Sequence, residues 1–177
     1  MPVPYHKARA TEKGACAAYL DIEDGRDGAL LGALLLMDDR GRPLEFVHNR
    51  TKPAGDWMWA GELRREDCVA ALVHSLYDAC RREPNLLACK HTLGALDYLR
   101  NELAPSIPML MVSPNEDGEI EWQWVNDPPT PGMRAHALAP QLEARGFLFE
   151  PFSRARTGLH ELYPADFEAL DTDDSLP

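Results

Sequence analysis

The sequence predicts a single α+β domain whose mixed β-sheet opens with an antiparallel three-stranded meander and whose helices lie mainly on one face. Three observations favour this class. The chain has 177 residues, the size of one domain. Three strand-like segments separated by turn residues occupy positions 18–50, and a segment with an apolar residue every three or four positions follows at 62–83.

The meander is predicted from local patterns. Asp21 and Glu23 are spaced by two residues and therefore share one face of a short strand. Residues 29–37 form an apolar run whose alanine and leucine content also suits a helix. The turn-forming residues 38–41 and the strand-like residues 44–49 that follow favour a central strand buried on both faces.

Helical periodicity begins after the meander. Residues 62–83 carry an apolar stripe, acidic residues at the start and arginines at the end, and Pro84 stops the helix. The later patterns predict a strand at 86–90, a helix from Thr92 to about Leu103, a β-hairpin at 107–113 and 119–125, a helix at 134–145, a strand at 147–151 and a last helix at 153–162.

Proline and charge patterns predict the domain limits. One domain is expected over residues 1–163, with a hinge near 126–132, where three prolines stiffen the chain. Residues 164–177 are acidic and contain no lysine or arginine, so we expect a flexible tail there.

The overall composition is that of a globular protein. Hydrophobic residues make up 45% of the chain and charged residues 27%, which excludes wholesale disorder, collagen and coiled coils. The net charge of −11 repels phosphate backbones and predicts weak or absent direct binding of nucleic acid.

The N-terminal segment and the cysteines predict a cytoplasmic protein. Residues 1–14 lack the apolar core of a secretory signal, and the longest apolar run, 28–37, is too short to cross a membrane. Four cysteines without a secretion signal indicate reduced thiols.

The order of the first elements resembles the opening of the RNase H-like fold, whose nucleases and integrases hold two metal ions between carboxylates. The resemblance implies an acid on the first strand, matched by Asp21 with Glu23 beside it, and acids on the first helix, matched by Glu62 or Glu66. The family's acid at the end of the fourth strand has no match, because residues 86–90 end in a lysine. A metal-dependent nuclease using Asp21, Glu23 and Glu62 is therefore an alternative hypothesis.

Other motifs that carry chemistry do not occur in the sequence. It contains no nucleophile elbow, phosphate-binding loop or dinucleotide fingerprint. Cys80, Cys89 and His91 are not spaced like zinc ligands. We therefore expect no metal site and no cofactor, while Arg154 and Arg156 are candidates to hold an anion.

Tryptophans provide a candidate surface for a protein partner. Trp57 and Trp59 flank Met58 in a predicted loop, and Trp122 and Trp124 share one face of the predicted hairpin. Aromatic residues are enriched at protein contacts. The competing interpretation of the loop is that its tryptophans cover the core.

Two segments, GALLLMDDRGRPLEFVHN and FLFEPFSRARTGL, resemble the opening hairpin and the closing segment of a set of uncharacterised bacterial proteins. The resemblance implies a place beside nucleic-acid helicases in bacterial gene clusters and supplies no catalytic residues. The acidic charge, the incomplete catalytic set and the tryptophan surface predict a non-enzymatic adaptor that binds another protein subunit, and the resemblance places it in a nucleic-acid-processing assembly. A small-molecule sensor domain is a further alternative, and self-association is left open by the sequence.

Overall fold

Six β-strands form one mixed sheet in the order β3-β2-β1-β4-β5-β6. The computed structural model describes residues 14–51, 65–90, 101 and 107–167. The first three strands form an antiparallel meander, β4 and β5 run parallel to β1, and β6 is antiparallel to β5. The predicted mixed sheet and its opening meander are confirmed. The strands are Cys16–Asp24 (β1), Leu30–Asp38 (β2), Pro43–Thr51 (β3), Leu86–Lys90 (β4), Met109–Pro114 (β5) and Ile120–Trp124 (β6).

Helices cover both faces of this sheet. One face packs against α1, and the opposite face packs against α2, α3 and α4. Three of the four α-helices in the described residues therefore share one face. Within the described residues no helix is long and apolar enough to cross a membrane. The helices are Arg65–Ala79 (α1), Arg134–Ala144 (α2), Glu150–Leu162 (α3) and Pro164–Phe167 (α4).

The first predicted helix is shorter in the structure, and the second is not described. The helix predicted at 62–83 is observed as α1, which ends at Ala79, and residues 62–64 lie outside the described residues. Of the helix predicted from Thr92 to Leu103, the structure describes only Asn101.

The strand predicted at 147–151 is wrong. Residues 147–149 form a turn, and α3 begins at Glu150 with Pro151 in its first turn. Proline suits this position because a first-turn residue needs no N–H donor. The alternating aromatic residues that imitate a strand pack instead against the core, where Phe147 and Phe149 are partly buried.

The segment predicted to be a flexible tail begins with α4, which belongs to the folded domain. Asp166 and Phe167 are buried there. The Arg50 side chain in β3 donates two hydrogen bonds to the Asp166 carboxylate, at 2.8 and 2.7 Å. The predicted boundary after residue 163 therefore lies too early, while residues 168–177 are outside the described residues.

We expect Asp166→Asn to lower the free energy of unfolding by about 1–2 kcal/mol at neutral pH, because the Arg50 guanidinium loses a charged acceptor. The hydrogen bonds from Arg50 hold the pKa of the Asp166 carboxyl below its usual value. Its contribution is fully present above the pKa of the unfolded carboxyl and is lost as pH falls through the lower folded pKa. Urea unfolding should therefore separate the wild type from the variant near neutral pH and bring them together at about pH 2. Equal stability at neutral pH would contradict this account.

Candidate active site

Asp21 is a buried carboxylate in the central part of the sheet. Only 1% of the residue is exposed, although aspartate is rarely buried without a partner. Successive residues of β1 point to opposite faces, so Tyr19, Asp21 and Glu23 share the face that α3 covers. The parallel register pairs Leu20 with Cys89. The next residues along the two strands, Asp21 and Lys90, therefore lie side by side.

Lys90 places its ammonium group between the two carboxylates of β1. Its Nζ atom lies 2.7 Å from Oδ1 of Asp21 and 3.7 Å from Oε1 of Glu23. The same Nζ lies 5.5 Å from the centroid of the Phe152 ring in α3. Phe152 is 1% exposed, and the Lys90 side chain is 23% exposed. The ammonium is thus partly shielded from solvent, with one aromatic ring and two acidic side chains as neighbours.

The second oxygen of Asp21 has no partner among the described residues. Oδ2 is buried and receives no described hydrogen bond. A buried polar atom without a partner costs about 1–3 kcal/mol, so such atoms mark positions that call for a functional explanation. Asp21 therefore keeps one acceptor available beside the Lys90 ammonium.

Arg156 extends the site towards the surface. It lies in α3, and its Nε atom is 3.6 Å from Oε1 of Glu23. The Arg156 side chain is 58% exposed and that of Glu23 is 20% exposed. The site thus passes from the buried Asp21 through Glu23 and Lys90 to a guanidinium that faces solvent.

One turn further along α3, His160 has a second buried atom without a described partner. Its Nε2 makes no described hydrogen bond, and its ring stacks on Phe167 with centroids 3.6 Å apart. The stacking fixes the plane of the imidazole on the same helix that supplies Arg156.

The described residues do not fit the two-metal centre that the RNase H-like resemblance implies. Within the described residues no group of three or more histidine, cysteine, aspartate or glutamate side chains is arranged to hold a metal ion. The strand end that the family equips with an acid carries Lys90, and its ammonium contacts Asp21 directly. Glu62, the other predicted acid, lies outside the described residues.

The acid predicted as an alternative on the first helix does not reach this site. Glu66 is exposed in the first turn of α1. That helix packs against the face of the sheet opposite to Asp21. Glu66 is therefore not part of the group around Asp21.

The cysteines predicted to be poor metal ligands are buried. Cys80 and Cys89 are both buried in the core, and His91 lies outside the described residues. Burial raises the pKa of the Cys89 thiol to about 12, so it is protonated at neutral pH. A protonated buried thiol packs as a small apolar group.

The residues predicted to bind a partner are only partly described. Trp57, Met58 and Trp59 lie outside the described residues. Trp122 and Trp124 are half-buried and pack against the core, and their rings meet edge to face with centroids 5.8 Å apart. A partner-binding role for these residues stays a prediction.

No family model matches the chain, and no curated protein matches it. Among solved structures, it resembles Endonuclease V from Bacillus subtilis, with a TM-score of 0.52 and 14% identity over 85% of this chain and 80% of that one. Endonuclease V from Ciona intestinalis, solved in complex with a 24mer DNA containing an inosine followed by a ribo-adenosine, gives a TM-score of 0.39 and 9% identity over 76% of this chain and 56% of that one. The first likeness shows that the chain has an RNase H-like fold.

These comparisons correct two sequence-based predictions. The non-enzymatic adaptor is contradicted, because the Bacillus subtilis structure that the chain resembles is that of an endonuclease, and the nuclease alternative is favoured instead. The prediction of weak or absent nucleic-acid binding is corrected with it, because that prediction was part of the non-enzymatic interpretation and the Bacillus subtilis structure that the chain resembles is that of an endonuclease. Net charge is a poor guide here because it sums the whole chain, whereas a nucleic acid responds to the charges at its contact surface. The implied link with helicases has no support in the comparisons.

Proposed function

We propose that the chain is a nuclease of RNase H-like fold that acts on nucleic acid where β1 and β4 end. The observation that carries this proposal is the buried Asp21, whose place on the first strand matches the acid that the RNase H-like resemblance implies and whose Oδ2 has no described partner. The carboxyl ends of parallel strands are also where ligands bind in open α/β sheets.

The basic side chains beside Asp21 suit a phosphodiester. Arg156 is exposed enough to reach a ligand, and its planar guanidinium matches two phosphate oxygens. The Lys90 ammonium lies deeper and supplies a fixed positive charge. Attack on phosphorus increases the negative charge on the phosphate oxygens, and fixed cations at that place lower the barrier.

We assign to Glu23 the role of accepting the proton of the attacking group. Its carboxylate lies between the two cations, with Oε1 3.7 Å from Lys90 Nζ and 3.6 Å from Arg156 Nε. It is half-buried and thus reachable from solvent, unlike Asp21. A carboxylate in this place can accept a proton from an attacking water or hydroxyl group.

The test measures cleavage of labelled single- and double-stranded DNA and RNA, including an inosine-containing duplex. We expect the wild type to cleave at least one substrate and Asp21→Asn to lower its rate by about 100-fold. The matched control is Arg40→Ala, which changes an exposed arginine in the turn after β2, at the opposite edge of the sheet. It should retain the wild-type rate, whereas Arg156→Ala should lower the rate about tenfold.

Circular dichroism on each variant confirms that the fold is intact. A folded wild type that cleaves none of the substrates overturns the proposed function. Equal rates for Asp21→Asn and the wild type overturn the assignment of the site.

A further inference from the structure

We infer that the Lys90 ammonium takes the place of a divalent cation between Asp21 and Glu23, so that this site works without a metal ion. The position of the ammonium concerns the geometry of the chain alone. The claim that the site works without a metal ion rests on the proposed function.

Lys90 stands where the resemblance implies an acid. The RNase H-like resemblance implies a carboxylate at the end of the fourth strand, and this chain has Lys90 there, as the last residue of β4. The parallel register places that residue beside Asp21. A lysine stem is long enough to bring its ammonium back over the sheet, and Nζ lies 2.7 Å from Oδ1 of Asp21.

The Lys90 ammonium and a divalent cation cannot both occupy the position between Asp21 and Glu23. Mg²⁺ binds carboxylate oxygens at about 2.0–2.1 Å and requires a nearly octahedral set of oxygen ligands. The space next to Oδ1 of Asp21 and Oε1 of Glu23 is occupied by an ammonium that carries hydrogens. A metal ion bound by both carboxylates would have to displace Lys90 first.

The positive and negative side chains of the site balance in charge. The described ionised side chains of the site are Asp21, Glu23, Lys90 and Arg156, and their formal charges cancel. The two negative charges that would attract a divalent cation are therefore already matched. A divalent cation would also be repelled by the ammonium and the guanidinium at short range.

Lys90 is held in place. Its partner Asp21 is 1% exposed, so moving the ammonium away would leave a buried charge without compensation. Nζ also lies over the buried ring of Phe152, 5.5 Å from its centroid. Asp21 is thus a positioning residue that orients Lys90, whose remaining hydrogens can donate to a phosphate.

The test titrates Mn²⁺ against the protein and follows free Mn²⁺ by electron paramagnetic resonance. We expect the same binding curve for the wild type and for Asp21→Asn, since neither should hold Mn²⁺ at this site. We expect Lys90→Asp to gain a Mn²⁺ site at least about tenfold tighter than any in the wild type, because it supplies the missing acid. The double variant Lys90→Asp/Asp21→Asn should lose that site again.

Wild-type binding of Mn²⁺ that Asp21→Asn removes would overturn the inference. A folded Lys90→Asp variant that gains no site would also overturn it. If that variant does not fold, the comparison of wild type with Asp21→Asn still decides the question.

The titration needs no nucleic acid, so its result is independent of the proposed function. Where the wild type cleaves a substrate, its rate should be the same in EDTA as in Mn²⁺. A rate that falls about tenfold or more in EDTA contradicts metal-independent action while leaving the nuclease assignment intact.

Discussion

Lys90→Met is expected to lower the free energy of unfolding by about 3–5 kcal/mol, because it leaves the buried Asp21 carboxylate without its positive partner. Asp21 is 1% exposed, and Nζ of Lys90 lies 2.7 Å from its Oδ1. Methionine keeps most of the length and apolar contact of the lysine stem. The variant therefore removes the charge and the hydrogen bonds while changing the packing little.

The double variant Asp21→Asn/Lys90→Met separates charge from packing. It removes both members of the pair, and we expect it to recover about 2–3 kcal/mol of the loss. Urea unfolding, followed by circular dichroism at neutral pH, measures the free energy of unfolding of Lys90→Met, of the double variant and of a control. Arg156→Met is the matched control, since its exposed ion pair with Glu23 should contribute no more than about 0.5 kcal/mol. A loss below about 1 kcal/mol for Lys90→Met, with no recovery in the double variant, would show that the pair is not formed.

Phe152→Ala is expected to lower the free energy of unfolding by about 3–5 kcal/mol, because it removes a large ring from the core under the site. Phe152 is 1% exposed and meets Tyr19 edge to face, with ring centroids 5.5 Å apart. Tyr19 in turn donates a hydrogen bond of 2.6 Å from its hydroxyl to the backbone carbonyl of Phe147. The cavity would therefore lie between α3 and the strand that carries Asp21.

Phe152→Leu is the control for this variant. It keeps most of the buried volume and should cost about 1–1.5 kcal/mol. Chemical denaturation measures the free energy of unfolding of both variants. A cost below about 1 kcal/mol for Phe152→Ala would mean that α3 is not packed on the sheet as described.

The meander was predictable because its signals are local. Turn residues at 38–41 end β2, and Gly41 adopts a positive φ of 79°, which glycine tolerates best. The strand predicted at 147–151 was wrong because alternating aromatic residues also occur in a turn that packs on the core. The ring of Phe147 instead fills the space that a side chain at Gly41 would need, and no local pattern reveals this contact between distant segments.

Half of the candidate site was predictable. Asp21 and Glu23 share a strand face by their spacing alone, and the RNase H-like resemblance singled out the same pair. The contact with Lys90 required the register between two strands that are 69 residues apart in sequence at this point. One signal for it is present in the sequence: a lysine that ends an apolar strand needs a carboxylate partner if its head group is to stay near the core.

The pairing of Arg156 also could not be predicted from local sequence patterns. The sequence marks it as a candidate to hold an anion, yet its neighbour Glu23 lies on the first strand, at the far end of the chain. The pairing follows from the packing of α3 on the sheet, which places the helix next to β1. The net charge of the whole chain does not reveal these basic groups either, because it sums over all residues.

The most direct measurement of the central claim is a crystal structure of the wild type grown in Mn²⁺, with anomalous scattering recorded for the metal. We expect no Mn²⁺ beside Asp21, and the Lys90 ammonium within hydrogen-bond distance of Oδ1. A Mn²⁺ ion coordinated by Asp21 and Glu23, with Lys90 turned away, would contradict the account.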